Sequence, residues 1–244
     1  MSRTVIVTGS SSGIGHDIAR AFLDRGDNVV LNGRDADKLK AVAAEFGQPD
    51  RTVAVAGDIS ERGTQQALVR AAVERFGRVD VLVNNAGIFG AKPFLDVTED
   101  DLDGYLAGNL KSTYFTTQAV VRQMVAQQSG GAIVNIGTVL IDHALTGLPA
   151  TAPLVSKGGV HALTTSLSAE LAPVGIRVNA VAAGIIRTPL HAAAENVDGF
   201  GGLALLDRIG EVAETSAAVL YLADATFTTG HFLRVDGGYV TGRS

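Results

Sequence analysis

Seven short runs of apolar residues recur along the chain and predict seven β-strands. The runs are rich in β-branched residues and nearly continuous in apolar positions, which is typical of strands covered by helices on both faces of a parallel sheet. They extend over Thr4 to Thr8, Asn28 to Asn32, Thr52 to Ala56, Val79 to Asn84, Ala132 to Gly137, Arg177 to Ala182 and Phe232 to Val235.

The segments between these runs have the spacing of amphipathic helices, as at Ile14, Ile18 and Phe22. The alternation of strands and helices predicts an α/β fold with a doubly wound sheet. The 244 residues suit a single domain over 1–244, although length alone also permits two small domains. An irregular segment rich in Ala and Gly, Pro189 to Leu206, is predicted to be a loop over a pocket.

Composition narrows the classes of function. Hydrophobic residues make up 46% of the chain and charged residues 18%. This is too apolar for disorder, and no charge-free run approaches the roughly 18 residues of a membrane span. The first residues enter an apolar strand directly, without the long apolar region of a signal peptide, so we expect a cytoplasmic protein. The net charge of −5, without clusters of Lys or Arg, argues against nucleic acid and favours a small-molecule partner.

Cysteine is absent, which excludes disulfides, thiolate catalysis and cysteine-ligated metal. His16, His161, His191 and His231 show no metal-ligand spacing, so we expect no metal and mostly solvated or structural histidines. His191 falls in the predicted loop, where contact with a substrate is the alternative.

A glycine-rich turn follows the first predicted strand and leads into a helix. Glycine lets the backbone approach a pyrophosphate closely, and free N–H groups at a helix N-terminus favour an anion. The turn therefore predicts a phosphate site, with an ordinary tight βα turn as the alternative. Its candidate contacts are Gly9, Ser10, Ser11, Ser12, Gly13, Ile14 and Gly15.

Together with further motifs, this turn resembles the short-chain dehydrogenase/reductase family over nearly the whole chain. The T-G-x-x-x-G-x-G spacing from Thr8 is matched by seven more segments in the family's order. They are Gly57-Asp58-Ile59, Asn84-Asn85-Ala86-Gly87, Asn109-Leu110-Lys111, Ile133-Val134-Asn135-Ile136-Gly137, Lys157-Gly158-Gly159, Arg177-Val178-Asn179-Ala180-Val181 and Val235-Asp236-Gly237-Gly238-Tyr239.

The resemblance implies a Rossmann-type fold with a seven-stranded, mostly parallel sheet and hydride transfer between a nicotinamide cofactor and a small, fairly apolar carbonyl or alcohol. It also implies a homo-oligomer, either a tetramer or a dimer. Asp58 is expected to contact the adenine amino group, unless it is a helix N-cap. The remaining cofactor contacts implied are Ile59, Asn85, Ala86, Gly87, Lys157, Gly184, Ile186 and Thr188.

The end of the second strand favours NADP over NAD. NAD-preferring relatives usually carry an acidic residue at the position of Gly33, whereas Arg34 offers a planar cation suited to a 2′-phosphate. Asp35 leaves NAD possible, because its carboxylate would either bond a ribose hydroxyl or cap the following helix.

By the same resemblance, Asn109, Thr138 and Lys157 are the expected catalytic residues, with Thr138 in place of the usual serine. The family's tyrosine, four residues before the lysine, is replaced by Pro153, which suits the first turn of a helix.

Three hypotheses follow from this replacement. His143, or a water held by Thr138 and Lys157, would replace the phenol as proton donor, with a surface histidine as the alternative. Tyr105 and Tyr114 flank Asn109 and are less favoured for this role. The chain would otherwise bind the cofactor without transferring hydride, or catalyse an isomerisation or elimination.

Overall fold

Seven parallel strands form one sheet in a computed structural model that describes residues 2–189 and 197–242. The strands are β1 (Thr4–Val7), β2 (Asn28–Gly33), β3 (Thr52–Ala56), β4 (Val81–Asn84), β5 (Gly131–Thr138), β6 (Ile176–Ala183) and β7 (Phe232–Val235). Each begins and ends within two residues of the predicted run. Their order in the sheet is β3-β2-β1-β4-β5-β6-β7, so the predicted fold class is confirmed.

Helices cover both faces of the sheet. They are α1 (Gly13–Asp24), α2 (Ala36–Phe46), α3 (Arg62–Phe76), α4 (Glu99–Tyr105), α5 (Ser112–Gln127), α6 (Thr151–Leu171) and α7 (Val212–Asp224). Residues of β1 point alternately to the two faces, so that Val5 and Val7 pack with α1, α2 and α7, whereas Ile6 packs with α3, α5 and α6. No helix in the described ranges is long and apolar enough to cross a membrane.

Strand order reverses at β1, which pairs with β2 on one side and with β4 on the other. In open α/β sheets, ligands bind in the crevice that such a reversal leaves at the carboxyl ends of the strands. The glycine-rich turn after β1 and the Asn84–Gly87 segment after β4 both lie at this crevice.

A π-helical segment, Leu106–Lys111, joins α4 to α5 without a break. The sequence predicts a helix around Asn109 but not this wider turn. Asn109 is the buried residue of the segment, and π-helical turns are often found at functional sites.

Helix α6 begins at Thr151 and has Pro153 in its first turn, as the sequence predicts. A backbone N–H in the first turn has no intrahelical acceptor, so proline loses no helix hydrogen bond there.

The segment predicted as a loop, Pro189 to Leu206, lies partly outside the described residues. His191 is in the part that lies outside them. The described part contains a 3₁₀ helix, Val197–Leu203. Arg187 anchors this region through ion pairs with Asp198 and, at 3.0 Å, with Glu211.

Candidate active site

The glycine-rich turn after β1 has a shape that strongly favours glycine. Gly9 and Gly13 have φ values of 64° and 57°, in the left-handed region. A Cβ on Gly15 would overlap the amide nitrogen of Asn85 and the carbonyl oxygen of Gly9. The N-cap Ser12 makes no side-chain capping bond, and the first turn of α1 holds no acidic residue. The turn therefore fits the pyrophosphate of a dinucleotide.

Hydrogen bonds join this turn to the segment after β4. The Thr8 hydroxyl accepts from the backbone N–H groups of Asn85 and Ala86, both at 3.0 Å. The Asn85 side chain donates to the carbonyl oxygens of Thr8 and Gly9 at 3.0 Å. Asn85 thus acts here through its side chain, a structural role that the sequence did not reveal.

The carboxylate of Asp35 is used by the protein itself. Asp35 is the N-cap of α2 and accepts from the backbone N–H of Lys38 at 2.9 Å. Arg34 is exposed and forms no ion pair within residues 2–189 and 197–242. A Cβ on Gly33 would lie 3.0 Å from the Ser11 hydroxyl, so a hydroxyl donor stands beside this position.

Asp58 is not a helix N-cap, since Glu61 occupies that position before α3. The Asp58 carboxylate accepts from the backbone N–H and the hydroxyl of Ser60, at 2.8 and 2.7 Å. These bonds, with a smaller contribution from Arg34, lower the pKa of Asp58 below its usual value. The following residue, Ile59, is buried.

Asn109 ties the segment after β4 to the first turn of α6. Its side-chain oxygen accepts from the Ile88 N–H at 2.7 Å, and its nitrogen donates to the Ile88 carbonyl at 3.0 Å. The same nitrogen donates to the Ser156 hydroxyl at 2.9 Å, which in turn donates to the Pro153 carbonyl at 2.8 Å. Asn109 therefore positions two walls of the site.

Lys157 and Asn109 meet at Gly87. A Cβ on Gly87 would lie 2.9 Å from the Asn109 side-chain oxygen and 3.7 Å from Lys157 Nζ. Nζ donates to the carbonyl of Ile136 at 3.4 Å. Burial lowers the pKa of Lys157 to about 8.

Thr138 is the last residue of β5. Side chains two residues apart on a strand point to the same face of the sheet, so the side chains of Thr138 and Ile136 share a face. The carbonyl of Ile136 accepts the hydrogen bond from Lys157. The Thr138 hydroxyl accepts from the Leu140 N–H at 3.3 Å.

The segment after β6 returns to the glycine-rich turn. Gly184 donates its N–H to the Val235 carbonyl at 2.9 Å, and Ile186 is buried. A Cβ on Gly13 would lie 3.5 Å from Thr188, so the segment predicted to bind the nicotinamide end lies beside the turn predicted to bind phosphate.

The four tyrosines lie on other segments of the described structure than position 153. The Tyr105 hydroxyl lies against Gly90, 2.7 Å from the position of a Cβ there. The Tyr239 hydroxyl donates to the His143 carbonyl at 3.3 Å. Tyr114 and Tyr221 are 46% and 56% exposed, on α5 and α7 respectively.

His143 packs against Tyr239 in the described structure. Its exposed ring lies edge to face against Tyr239, with 5.3 Å between ring centroids. The neighbouring Asp142 pairs with Arg234 at 2.9 Å. The turn after β5 is thus held to the C-terminal region.

His161 is a residue that the sequence analysis missed as part of the site's surroundings. It follows Lys157 by one turn of α6, and its ring lies 4.5 Å from that of Phe232. Its Nε2 is buried, has no hydrogen-bond partner among residues 2–189 and 197–242, and lies 2.7 Å from the position of a Cβ on Gly137. Burial, followed by smaller effects of Asp142 and Lys157, lowers the pKa of His161. The i, i+4 spacing from Lys157 was the available signal.

Comparisons with known proteins give matches over most of the chain. The sequence model of the family described as short chain dehydrogenase matches residues 3–198. The chain is 37% identical to a (2S)-[(R)-hydroxy(phenyl)methyl]succinyl-CoA dehydrogenase subunit of Thauera aromatica, over 97% of this chain and 96% of that protein. It is 37% identical to an L-rhamnose 1-dehydrogenase (NAD(P)(+)) of Azotobacter vinelandii, over 98% and 96%.

A solved structure has the same fold. It is a short-chain type dehydrogenase/reductase from Mycobacterium marinum, with a TM-score of 0.93 at 29% identity, covering 97% of this chain and 95% of that one.

Proposed function

The chain belongs to the short-chain dehydrogenase/reductase family of nicotinamide-dependent oxidoreductases, and on this premise we propose that it interconverts a small, fairly apolar carbonyl compound and its alcohol with NADP(H). The observation that carries the proposal is the convergence of two sites at one edge of the sheet. The anion-binding turn of Gly9 to Gly15 and the Asn109–Lys157 pair at Gly87 lie at the ends of neighbouring strands. The bound nicotinamide would supply or accept the hydride.

The residues divide the binding task along the cofactor. In this proposal the Gly9 to Gly15 turn holds the pyrophosphate, with Ser10, Ser11, Ser12, Gly13 and Ile14 as its inner residues. The Asp58–Ile59 segment contacts adenine, Asn85 to Gly87 line the adenosine ribose, and Lys157 holds the nicotinamide ribose. Gly184, Ile186 and Thr188 contact the carboxamide.

NADP is the proposed cofactor because Arg34 is exposed without an ion-pair partner in the described ranges, whereas Asp35 is engaged as a helix cap. A guanidinium forms strong charge-assisted hydrogen bonds to phosphate. The neighbouring Ser11 hydroxyl supplies a further donor.

An uncharged, apolar substrate is supported by the loops that follow β4 and β6. Both expose large apolar side chains, while their cations are paired with carboxylates. The exposed apolar residues are Ile88, Phe94, Leu95, Phe200, Leu205 and Leu206. The ion pairs are Lys92–Asp101, Arg187–Asp198, Arg187–Glu211 and Arg208–Glu214.

A screen of carbonyl compounds and alcohols tests the reaction. Purified protein is mixed with NADPH or NADP⁺, and nicotinamide absorbance is followed for each compound. Consumption of NADPH by apolar ketones or aldehydes is the expected result. NADPH binding without turnover on any compound would contradict the proposal.

Pro153 favours a second candidate, a cofactor-binding protein without hydride transfer, because the family's phenol is absent. The variant Pro153→Tyr separates the two. If the variant alone reduces carbonyl compounds, the natural chain is the non-catalytic candidate; comparable activity in both proteins favours the enzyme. Chemistry that needs no phenol, such as isomerisation or elimination, would appear as substrate conversion without a change in NADPH.

The remaining features of the proposal concern the whole chain. We propose that residues 1–244 act as one nucleotide-binding domain and assemble as a homo-oligomer, a tetramer or a dimer. A cytoplasmic location remains a prediction from the sequence.

A further inference from the structure

The reduction of a carbonyl requires a proton at its oxygen, and this chain has no phenol at position 153 to deliver it. In the described structure the Tyr105 hydroxyl lies at Gly90, the Tyr239 hydroxyl donates to the His143 carbonyl, and Tyr114 and Tyr221 are exposed. The following inference rests on the proposed function and concerns the source of this proton.

Other polar groups around the site have protein partners in the described structure. His143 lies against Tyr239, and its neighbour Asp142 pairs with Arg234. The Thr138 hydroxyl is too weak an acid to give up its proton unaided. The Asn109 amide is fully used between Ile88 and Ser156.

Lys157 brings an amine group to the junction between the end of β5 and the segment after β4. Its Nζ lies 3.4 Å from the Ile136 carbonyl and 3.7 Å from the position of a Cβ on Gly87. Within residues 2–189 and 197–242, Nζ donates one hydrogen bond, to Ile136, whereas an ammonium has three protons to donate. Pro153, one turn earlier on α6, carries no side-chain donor that would stand between Nζ and a substrate oxygen.

We propose that Lys157 is itself the general acid and base of this enzyme, giving its ammonium proton directly to the substrate oxygen. In reduction, the carbonyl π bond breaks, the carbon receives hydride from the nicotinamide, and the oxygen takes a proton as one N–H bond of Lys157 breaks. The neutral amine is then reprotonated from solvent. In oxidation, the neutral amine takes the hydroxyl proton while the carbon loses hydride to the nicotinamide.

Burial supports this role. A pKa of about 8 leaves Lys157 mostly protonated at neutral pH, yet close enough to neutrality to release a proton. The developing alkoxide is far more basic than an amine, so the transfer is downhill. On the same helix, His161 is the titratable group that interacts with Lys157; from the turn after β5, Asp142 acts on His161 and pairs with Arg234 of β7.

The variant Lys157→Arg separates proton donation from positive charge. Arginine keeps the charge and donors for a ribose, but its guanidinium does not release a proton near neutral pH. We expect turnover to fall at least about 10²-fold, the usual size of a general acid's contribution, with NADPH affinity within a few-fold of the natural chain. Lys40→Arg, at an exposed position of α2, is the matched control and should retain full activity.

The pH profile of the natural enzyme provides a second readout. Because reduction requires the ammonium, kcat/KM for reduction should fall as pH rises through about 8. Because oxidation requires the neutral amine, kcat/KM for oxidation should rise over the same interval. Turnover by Lys157→Arg that equals the natural rate and keeps the same profile would overturn the inference while leaving the proposed function intact.

A direct titration decides the matter without relying on turnover. Lysine labelled with ¹³C at Cε is followed by NMR across pH in the protein with NADP⁺ bound, and the signal lost in Lys157→Arg assigns the residue. A Lys157 pKa near 8 in this complex supports the inference, whereas an unshifted lysine overturns it. A natural chain that binds NADPH but reduces nothing would instead overturn both the proposed function and the inference.

Discussion

Gly15 has no side chain, and this allows the Gly9 to Gly15 turn to pack tightly against Asn85. The missing Cβ would overlap the Asn85 amide nitrogen and the Gly9 carbonyl oxygen. Asn85 donates to that carbonyl and to the Thr8 carbonyl, so the overlap falls on the bonds that join the ends of β1 and β4. A larger residue at position 15 would therefore change the geometry of the crevice between β1 and β4.

We predict that Gly15→Ala abolishes measurable NADPH binding. The methyl group displaces Asn85 and distorts the turn that would hold the pyrophosphate. Gly63→Ala on α3 is the matched control, because a Cβ there meets nothing within 4 Å. Fluorescence titration with NADPH measures both variants; unchanged affinity in Gly15→Ala would contradict the assigned phosphate site.

Arg34 is predicted to set the preference for NADP. Because hydrogen bonds to charged groups contribute about 1.5–3 kcal/mol, Arg34→Ala should weaken NADPH binding by about 10-fold or more and leave NADH binding nearly unchanged. Arg122→Ala, at an exposed position of α5, is the control. Equal losses for both cofactors would show that Arg34 does not contact a 2′-phosphate.

The sequence predicts residues well when their role depends on neighbours in the chain. Pro153 in the first turn of α6 and the glycine positions after β1 are of this kind. For Asp35 the sequence allowed two roles, a bond to a ribose hydroxyl or a cap of the following helix, because both suit a carboxylate after a strand. The structure shows that Asp35 caps the helix. Asp58 was given two roles, and its bonds to Ser60 exclude the cap.

At the scale of elements, strands were predicted within two residues because their apolar runs are continuous and end at glycine or polar residues. The π-helical segment Leu106–Lys111 was not predicted, because one extra residue in a turn does not visibly change the helical spacing of apolar residues. The contact of His161 on α6 with Gly137 on β5 was also missed, because it joins residues distant in sequence and depends on packing.

Helix α6 packs on β5 through this contact, and we predict that Gly137→Ala destabilises the fold by about 1–3 kcal/mol through overpacking. Its Cβ would lie 2.7 Å from His161 Nε2. In a His161→Ala background the same change should cost much less, because the obstructing ring is gone. Urea unfolding of the four proteins gives the coupling free energy. Equal costs of Gly137→Ala in the two backgrounds would rule out the contact as the cause.

At the scale of the whole molecule, exposed apolar side chains on the helices support assembly. Tyr114 on α5 and Val155 on α6 are 46% and 55% exposed, and Tyr221 on α7 is 56% exposed. Large apolar side chains exposed on helices are often buried when chains assemble, because aromatic residues are enriched in protein interfaces.

Light scattering after size exclusion is therefore expected to give two or four times the chain mass of 25.2 kDa. The double variant Tyr114→Glu with Val155→Glu should shift the mass downward if α5 and α6 form the interface, while Glu99→Gln on α4 should leave it unchanged. A mass of 25.2 kDa for the natural chain at micromolar concentration would contradict assembly.

The central claim is that a dinucleotide phosphate binds across the carboxyl ends of β1 and β4, with its pyrophosphate at the Gly9 to Gly15 turn. Titration calorimetry of the natural chain with NADPH and with NADH tests this most directly, with Gly15→Ala as the variant that should show no heat. The account predicts one site per chain, a dissociation constant on the order of micromolar for NADPH and weaker binding of NADH. Absence of binding heat with both cofactors would contradict it.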